Sequence, residues 1–276
     1  MKIILTILSL WVCTASAQVN PAYMKVMSNY KSMQRLGITG KGVKVMVIDT
    51  GNNNAPDSSV DFTGQGVNDV YGHGSEIGSI IKSSIGLAPG CILYNLKAAY
   101  NDASYTSEGI ASALQWAVDH NADIICIAYE YTLDSIIRSK IAEVVTHDII
   151  IFASSGNSHV PNLVGLPSGY PGVTSVSAVT STGLPFYYNY LFDGAIATHG
   201  INICANGVGN EVIDLNGNYT TIFSGTSFSS PWLAGAAAVL KEYLGYPSNK
   251  SVLKYILKTA LKQTDSQIFG SGIFTF

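Results

Sequence analysis

Charge is scarce in this chain of 276 residues: only 12% are Asp, Glu, Lys or Arg, about half the usual ~25% share, and the formal net charge is −3. No run of Lys or Arg occurs. The electrostatic footprint of nucleic-acid binding is therefore missing, and no such partner is expected. Cysteine is scarce too. Cys13, Cys91, Cys126 and Cys204 lie far apart. Setting Cys13 aside with the N-terminal segment leaves an odd number, which excludes a disulfide framework. Cys91 and Cys126 sit in apolar runs with no turn or helix start to expose a thiolate, so both read as small buried hydrophobes. No stretch reaches 18 uninterrupted apolar residues, so none is long enough for a spanning helix. The His-Glu-x-x-His pattern of zinc hydrolases is absent, and no metal or cofactor is expected. There is no internal repeat and no low-complexity linker.

What is present is ample apolar material: 47% hydrophobic residues on a length that can bury a sizeable core without staples. The first 17 residues read as a signal peptide. Met1-Lys2 is a short positive start, Ile3 to Val12 a ten-residue apolar run, and Ala15-Ser16-Ala17 a small-x-small cleavage site. Residues 18–276 are then expected to form one domain that is secreted or periplasmic, with no membrane contact after signal removal. The sequence leaves its oligomeric state open.

Strand-length apolar runs alternate with helical patterns. Strands are expected at Val43–Ile48, Cys91–Leu96, Ile124–Ala128, Ile149–Ala153 and Val173–Val179. Between them, Ile110, Leu114, Ala117 and Val118 share one helical face within Glu108–His120, as do Ile137, Ile141, Val144 and Val145. Such alternation implies an α/β fold in three layers, a mainly parallel sheet with helices on both faces. Sites in such sheets form beyond the carboxyl ends of the strands.

Four clusters could carry chemistry there. Val47-Ile48-Asp49-Thr50-Gly51 sets a carboxylate at a strand end. Tyr71-Gly72-His73-Gly74-Ser75-Glu76 sets a histidine between glycines before a helix. Ser154-Ser155-Gly156-Asn157 follows a buried strand. Ser224-Gly225-Thr226-Ser227 opens an Ala-rich helix, Leu233–Leu240, with Ser227 near the positive end of its dipole. Each alone has a plain reading: a turn, a solvated histidine, a helix cap. Together they complete one chemistry. A serine hydroxyl needs a histidine to take its proton, the histidine needs a carboxylate, and the developing oxyanion needs an amide donor.

In these motifs and their order the sequence resembles the subtilisin-like serine peptidases, the subtilase family, from about Val19 to the C-terminus. His73-Gly74-Ser75, Ser155-Gly156-Asn157, Gly225-Thr226-Ser227 with Ser230-Pro231, Leu87-Ala88-Pro89 and Gly270-Ser271-Gly272 carry the likeness. Leu166-Pro167 matches a position where the family's proline follows a cis bond. The resemblance implies the subtilisin-like fold and a triad of Asp49, His73 and Ser227, with Asn157 and the Ser227 N–H as the oxyanion hole. Protein or peptide chains would be the substrates. His73 is expected within about 3.2 Å of both partners, or somewhat looser before substrate binds. The substrate would be lined by Ser104 and Tyr105, by Ala128, Tyr129 and Glu130, and by Ser154, Ser155 and Gly156, with Gly165 at the pocket base. A glycine floor leaves depth for a large side chain at P1, the residue that contributes the scissile carbonyl, and Glu130 at the rim adds tolerance for a basic one.

The departures from the family pattern are equally specific. Glu76 replaces the family's second histidine and is expected to face away from His73. The segment Lys82–Leu87 is shorter than the family's calcium-binding loop, so that site is expected to be absent. Only 23 residues, 18–40, lie between the signal and Lys41, too few for a pro-domain. Bulk replaces glycine in Ala103-Ser104-Tyr105 and in Ala128-Tyr129-Glu130-Tyr131, where a substrate backbone would lie. The alternative these departures favour is a weak or inactive subtilase-fold binding or scaffold protein. An α/β-hydrolase esterase is excluded: Ser229 breaks Gly-x-Ser-x-Gly, and all five histidines precede Ser227.

Overall fold

The computed structural model describes residues 29–131, 134–157, 166–180, 183–185, 200–264 and 266–274. The signal segment 1–17, Gly165, His159 and His199 lie outside the described residues.

Seven strands form one parallel sheet: β1 (Lys44–Asp49), β2 (Ser58–Asp61), β3 (Ile92–Lys97), β4 (Ile124–Ile127), β5 (Ile150–Ser154), β6 (Thr174–Val179) and β7 (Ile203–Asn206), in the order β2-β3-β1-β4-β5-β6-β7. A separate antiparallel hairpin pairs β8 (Val208–Ile213) with β9 (Tyr219–Ser224). Residues 29–35 are helical. The helices that follow are α1 (His73–Ile81), α2 (Ser107–Asp119), α3 (Ser135–Val144), α4 (Thr226–Tyr243), α5 (Asn249–Thr259) and α6 (Ser266–Phe269).

Strand periodicity sorts the core into two layers. Val45 and Val47 of β1, Cys126 of β4 and Phe152 of β5 face α1, α4 and α5. Met46 and Ile48, with Ile125, Ile127, Ile151 and Ala153, face α2 and α3. Alternate residues pointing to opposite faces explain why these strands read as continuous apolar runs. On the second face, Ile110 and Leu114 of α2 meet Ile137, Ile141 and Val144 of α3, the residues placed on single helical faces by their spacing.

The strand ends differ from the sequence expectation by one residue for a definite reason. β1 runs on to Asp49, which pairs in register with Lys97, and the Asp49 carbonyl accepts from the N–H groups of Ala98 and Ala99. Asp49 is thus the last in-register residue of β1. Helix α4 is buried from Phe228 to Leu240. Its alanines and Gly235 let it run close to its neighbours: a Cβ on Gly235 would lie 3.0 Å from the Leu87 Cβ. The Leu166-Pro167 bond is cis. Cys91, Cys126 and Cys204 are free and buried, and burial pushes the thiols of Cys91 and Cys204 up to about 12 and that of Cys126 higher still. They are inert packing residues at neutral pH. Among the described residues no helix is long and apolar enough to cross a membrane.

Phe152 is fully buried in β5. Truncating it to alanine should lower unfolding stability by about 3–5 kcal/mol, read as a shifted denaturant midpoint with an unchanged m-value.

Candidate active site

The end of β1 and the start of α1 meet at Asp49 and His73. The Asp49 side chain is buried, and its two oxygens lie 2.8 and 3.0 Å from His73 Nδ1. Asp49 Oδ1 also accepts from the Thr50 N–H at 2.8 Å. An ionised carboxylate in this position makes Nδ1 the protonated nitrogen and turns Nε2 outward as the basic one. The ring is held edge-on to Tyr129, with centroids 6.0 Å apart, and tilted against Phe228 at 6.4 Å. Burial alone would depress the imidazole pKa. The Asp49 charge and hydrogen bond outweigh it and leave the value above the ordinary 6.5.

His73 is placed by Asp69, a residue the sequence reading passed over. Its carboxylate is 3% exposed and accepts from five donors: Thr50 Oγ1, the N–H groups of Tyr71, Gly72 and Ser75, and Ser75 Oγ, at 2.7–3.1 Å. It therefore ties the end of β1 to the turn before His73 and to the first turn of α1, where orphan amides and the helix dipole favour an anion. Asn53 exchanges both of its side-chain amide bonds with the Asp69 main chain. Close approach completes the fit. A Cβ on Gly74 would fall 2.0 Å from the Gly51 carbonyl oxygen, so only glycine serves there. An acid four residues before the histidine, in a chain so poor in charge, was the available signal.

Ser227 is the second residue of α4, after Gly225 as the N-cap. Its N–H belongs to the first four amides of the helix, which have no intrahelical acceptor. None of the described residues accepts from it. Pro231 has no N–H to return to the Ser227 carbonyl, which loosens the first turn around the serine. Asn157, beyond the end of β5, is fixed from one side. Its Oδ1 accepts from the N–H and hydroxyl of Thr226 at 3.0 and 3.1 Å, and the Thr226 hydroxyl accepts from the Gly156 N–H. This leaves the Asn157 amide nitrogen as the end without an acceptor among the described residues. Thr226 is thus a second positioning residue, quoted in the sequence motif but with no role assigned to it there.

His73, Ser227 and Asn157 line one open cleft of about 280 Å³. Among the described residues no hydrogen bond joins His73 to Ser227. The expected contact is made on the aspartate side, and a bond of the histidine–serine kind tightens when substrate binds. Ala128, Tyr129 and Glu130 form one wall of the cleft, and Ser154 and Gly156 the other. Ser104, Tyr105 and Ser155 are not among its lining residues. The Ser104 hydroxyl is bonded to Asp102, Tyr105 packs on Tyr129 and Tyr131, and the Ser155 N–H is bonded to the Val176 carbonyl within the buried layer. Glu130 is exposed at the rim, and partial desolvation raises its pKa. Glu76, expected to face away from His73, makes no hydrogen bond to it among the described residues. It is half-buried, burial pushes its pKa up to about 7, and it exchanges charge effects with His73 while Asp69, Asp214 and Asp49 press it further upward. Among the described residues no three His, Cys, Asp or Glu side chains gather as metal ligands would.

A parallel α/β sheet with an Asp–His pair and a helix-start serine at its carboxyl edge defines the subtilisin-like class of serine peptidases. The chain belongs to the subtilase family, whose profile matches residues 40–272. It is 30% identical over 253 residues to alkaline elastase YaB of Bacillus sp. strain YaB, covering 87% of this chain and 65% of that protein. It is 26% identical over 255 residues to subtilisin BL of Lederbergia lenta, covering 86% of this chain and 90% of that protein. A cold-adapted subtilisin-like serine proteinase shares the fold at a TM-score of 0.72 and 22% identity, over 86% of this chain and 88% of that one. The protease domain of PatA does so at 0.75 and 22%, over 85% and 94%.

Replacing Asp69 by alanine should cost about 3 kcal/mol of stability or more, since each buried donor left unpaired costs about 1–3 kcal/mol. Denaturant titration would show it, and an unchanged midpoint would mean that water replaces the carboxylate without loss.

Proposed function

We propose that the chain is an exported serine endopeptidase working through an acyl-enzyme. The carrying observation is the Asp49–His73 hydrogen bond beside a cleft that Ser227 and Asn157 also line. Ser227 Oγ attacks the scissile carbonyl while His73 Nε2 takes its proton. Asp49 keeps the proton on Nδ1 and stabilises the imidazolium. The oxyanion is received by the Ser227 N–H and the Asn157 amide, both unpaired among the described residues and needing no reorganisation. His73 then protonates the leaving amine, and water repeats the sequence to release the acyl group.

In this reading residues 1–17 direct export and the remainder forms one catalytic domain acting on protein or peptide chains. The pocket between Ala128-Tyr129-Glu130 and Ser154-Gly156 takes a large P1 side chain, with Glu130 at the rim accommodating a basic one. The chain spans 65% of the elastase it matches, so this activity rests on its own residues. The second reading is a scaffold whose cleft no longer admits substrate. The observation favouring it is the packing of Tyr105, Tyr129 and Tyr131 into one aromatic group beside the cleft.

A serine-directed fluorophosphonate should label the purified protein, and Ser227→Ala should abolish both labelling and peptide hydrolysis. Asn157→Ala should retain labelling and lose about 10²–10³-fold in turnover, the usual cost of one oxyanion donor. Absence of labelling in the folded wild type would leave the scaffold reading standing.

Only neutral His73 can accept the serine proton, and its raised pKa delays that form to higher pH. The rising limb of kcat/KM should therefore lie above pH 6.5. The negative charge of Glu76 stabilises the imidazolium, so Glu76→Gln should move that limb to lower pH. A limb that does not move would show that Glu76 is screened from the ring.

A further inference from the structure

The wall of the cleft is tied across to a second segment. Residues Tyr100–Ser104 form a tight turn: the Tyr100 carbonyl accepts from the Ala103 N–H at 2.9 Å, and the Ser104 carbonyl accepts from the Tyr100 N–H at 2.7 Å. Asp102 takes both the N–H and the hydroxyl of Ser104. Ala103 is held at φ +65°, a left-handed conformation that alanine rarely adopts. Its carbonyl accepts a hydrogen bond from the Tyr129 hydroxyl. The Tyr129 ring stands at the edge of His73 and packs on Tyr105 and Tyr131. Tyr131 itself is buried and anchored by its N–H to the Leu166 carbonyl. Glu130, next in the chain, is exposed, and its main-chain groups have no partner among the described residues.

An extended peptide entering a cleft adds as a strand and makes its affinity from main-chain hydrogen bonds to the cleft edges. The edge at Glu130 is free for this. Tyr129 itself lines the cleft beside His73, and its hydroxyl is held by the Ala103 carbonyl on the neighbouring turn, which fixes the ring in that wall.

We propose that Tyr129 is a specificity-determining latch: bonded to Ala103, it holds its ring in the cleft wall beside His73 and excludes extended chain from the residues that precede P1. The proposal rests on the peptidase reading of the same site. A substrate with one ordered residue ahead of the scissile bond reaches Ser227 with the latch closed. A longer one must break the Tyr129–Ala103 bond and displace the ring, so added length brings little gain. The substrates selected are flexible or terminal peptide segments rather than chains held extended over several residues.

The test compares acetyl-Phe p-nitroanilide with acetyl-Ala-Ala-Ala-Phe p-nitroanilide. The wild type should show little preference for the longer compound. Tyr129→Phe removes only the hydroxyl, and the long-to-short ratio of kcat/KM should rise about three- to tenfold, the worth of one released hydrogen bond, with the gain in KM. Tyr129→Ala removes the ring as well and should raise the ratio further. Should it fail to fold, Tyr129→Phe alone decides. An unchanged ratio in a Tyr129→Phe protein that fluorophosphonate labels normally would overturn the latch. Failure of the folded wild type to label would overturn the peptidase reading instead.

Discussion

Five donors converging on the Asp69 carboxylate set the backbone that carries Asp49 and His73. A histidine on a loop could adopt many rotamers around Asp49. Here the loop is not free, because the end of β1, the turn at Tyr71-Gly72 and the start of α1 all bind the same buried anion. Gly72 at φ +106° makes the turn, and Gly74 lets α1 pass against Gly51. The Asp49–His73 bond is short because the two backbones that carry it are joined independently of it. The Asp49–His73 geometry is a consequence of backbone capping, not of the two side chains finding each other.

The serine side follows the same rule with different atoms. Helix α4 is buried from Phe228 to Leu240, which holds its N-terminus in place, and Ser227 with its unpaired N–H is carried to the edge of the sheet. Thr226 then reaches back to Asn157 and Gly156, clamping the loop after β5 to the start of α4. The amide oxygen of Asn157 is consumed by that clamp. Its nitrogen is consequently the end left without an acceptor among the described residues, an orientation that packing alone would not have specified.

Much of this was legible in the sequence. Continuous apolar runs with β-branched residues identified five strands of the parallel sheet, and residues spaced three and four apart identified α2 and α3. The three catalytic candidates and Asn157 were legible because their chemistry is interdependent. Other elements were not, for physical reasons. β2 is a four-residue edge strand with no buried residue. Helix α5 buries few apolar side chains, chiefly Val252 and Ile256, and is instead capped from a distance by Asp148, which accepts from the N–H groups of Asn249 and Lys250. Asp69 joins the local amides of Tyr71, Gly72 and Ser75 to the distant Thr50 hydroxyl, and Thr226 accepts from the distant Gly156 N–H; no periodicity records such contacts. The placement of Ser104, Tyr105 and Ser155 outside the cleft lining likewise depends on where their turns point.

The scarcity of charge acquires a meaning from these caps. Glu242 accepts from three successive amides, those of Thr39, Gly40 and Lys41. Asp123 accepts from the Lys44 N–H at the start of β1 and from the Lys241 ammonium. Asp57 accepts from the Leu93 N–H and the Lys82 ammonium. In each case one carboxylate joins segments distant in sequence by collecting backbone donors that strand and helix ends leave unpaired. A lysine cannot do this, since an ammonium only donates. A chain that closes such long-range joints through orphan N–H groups uses acids for them. Asp69 belongs to the same set, and Asp49 differs from it in that its long-range partner is the His73 imidazole.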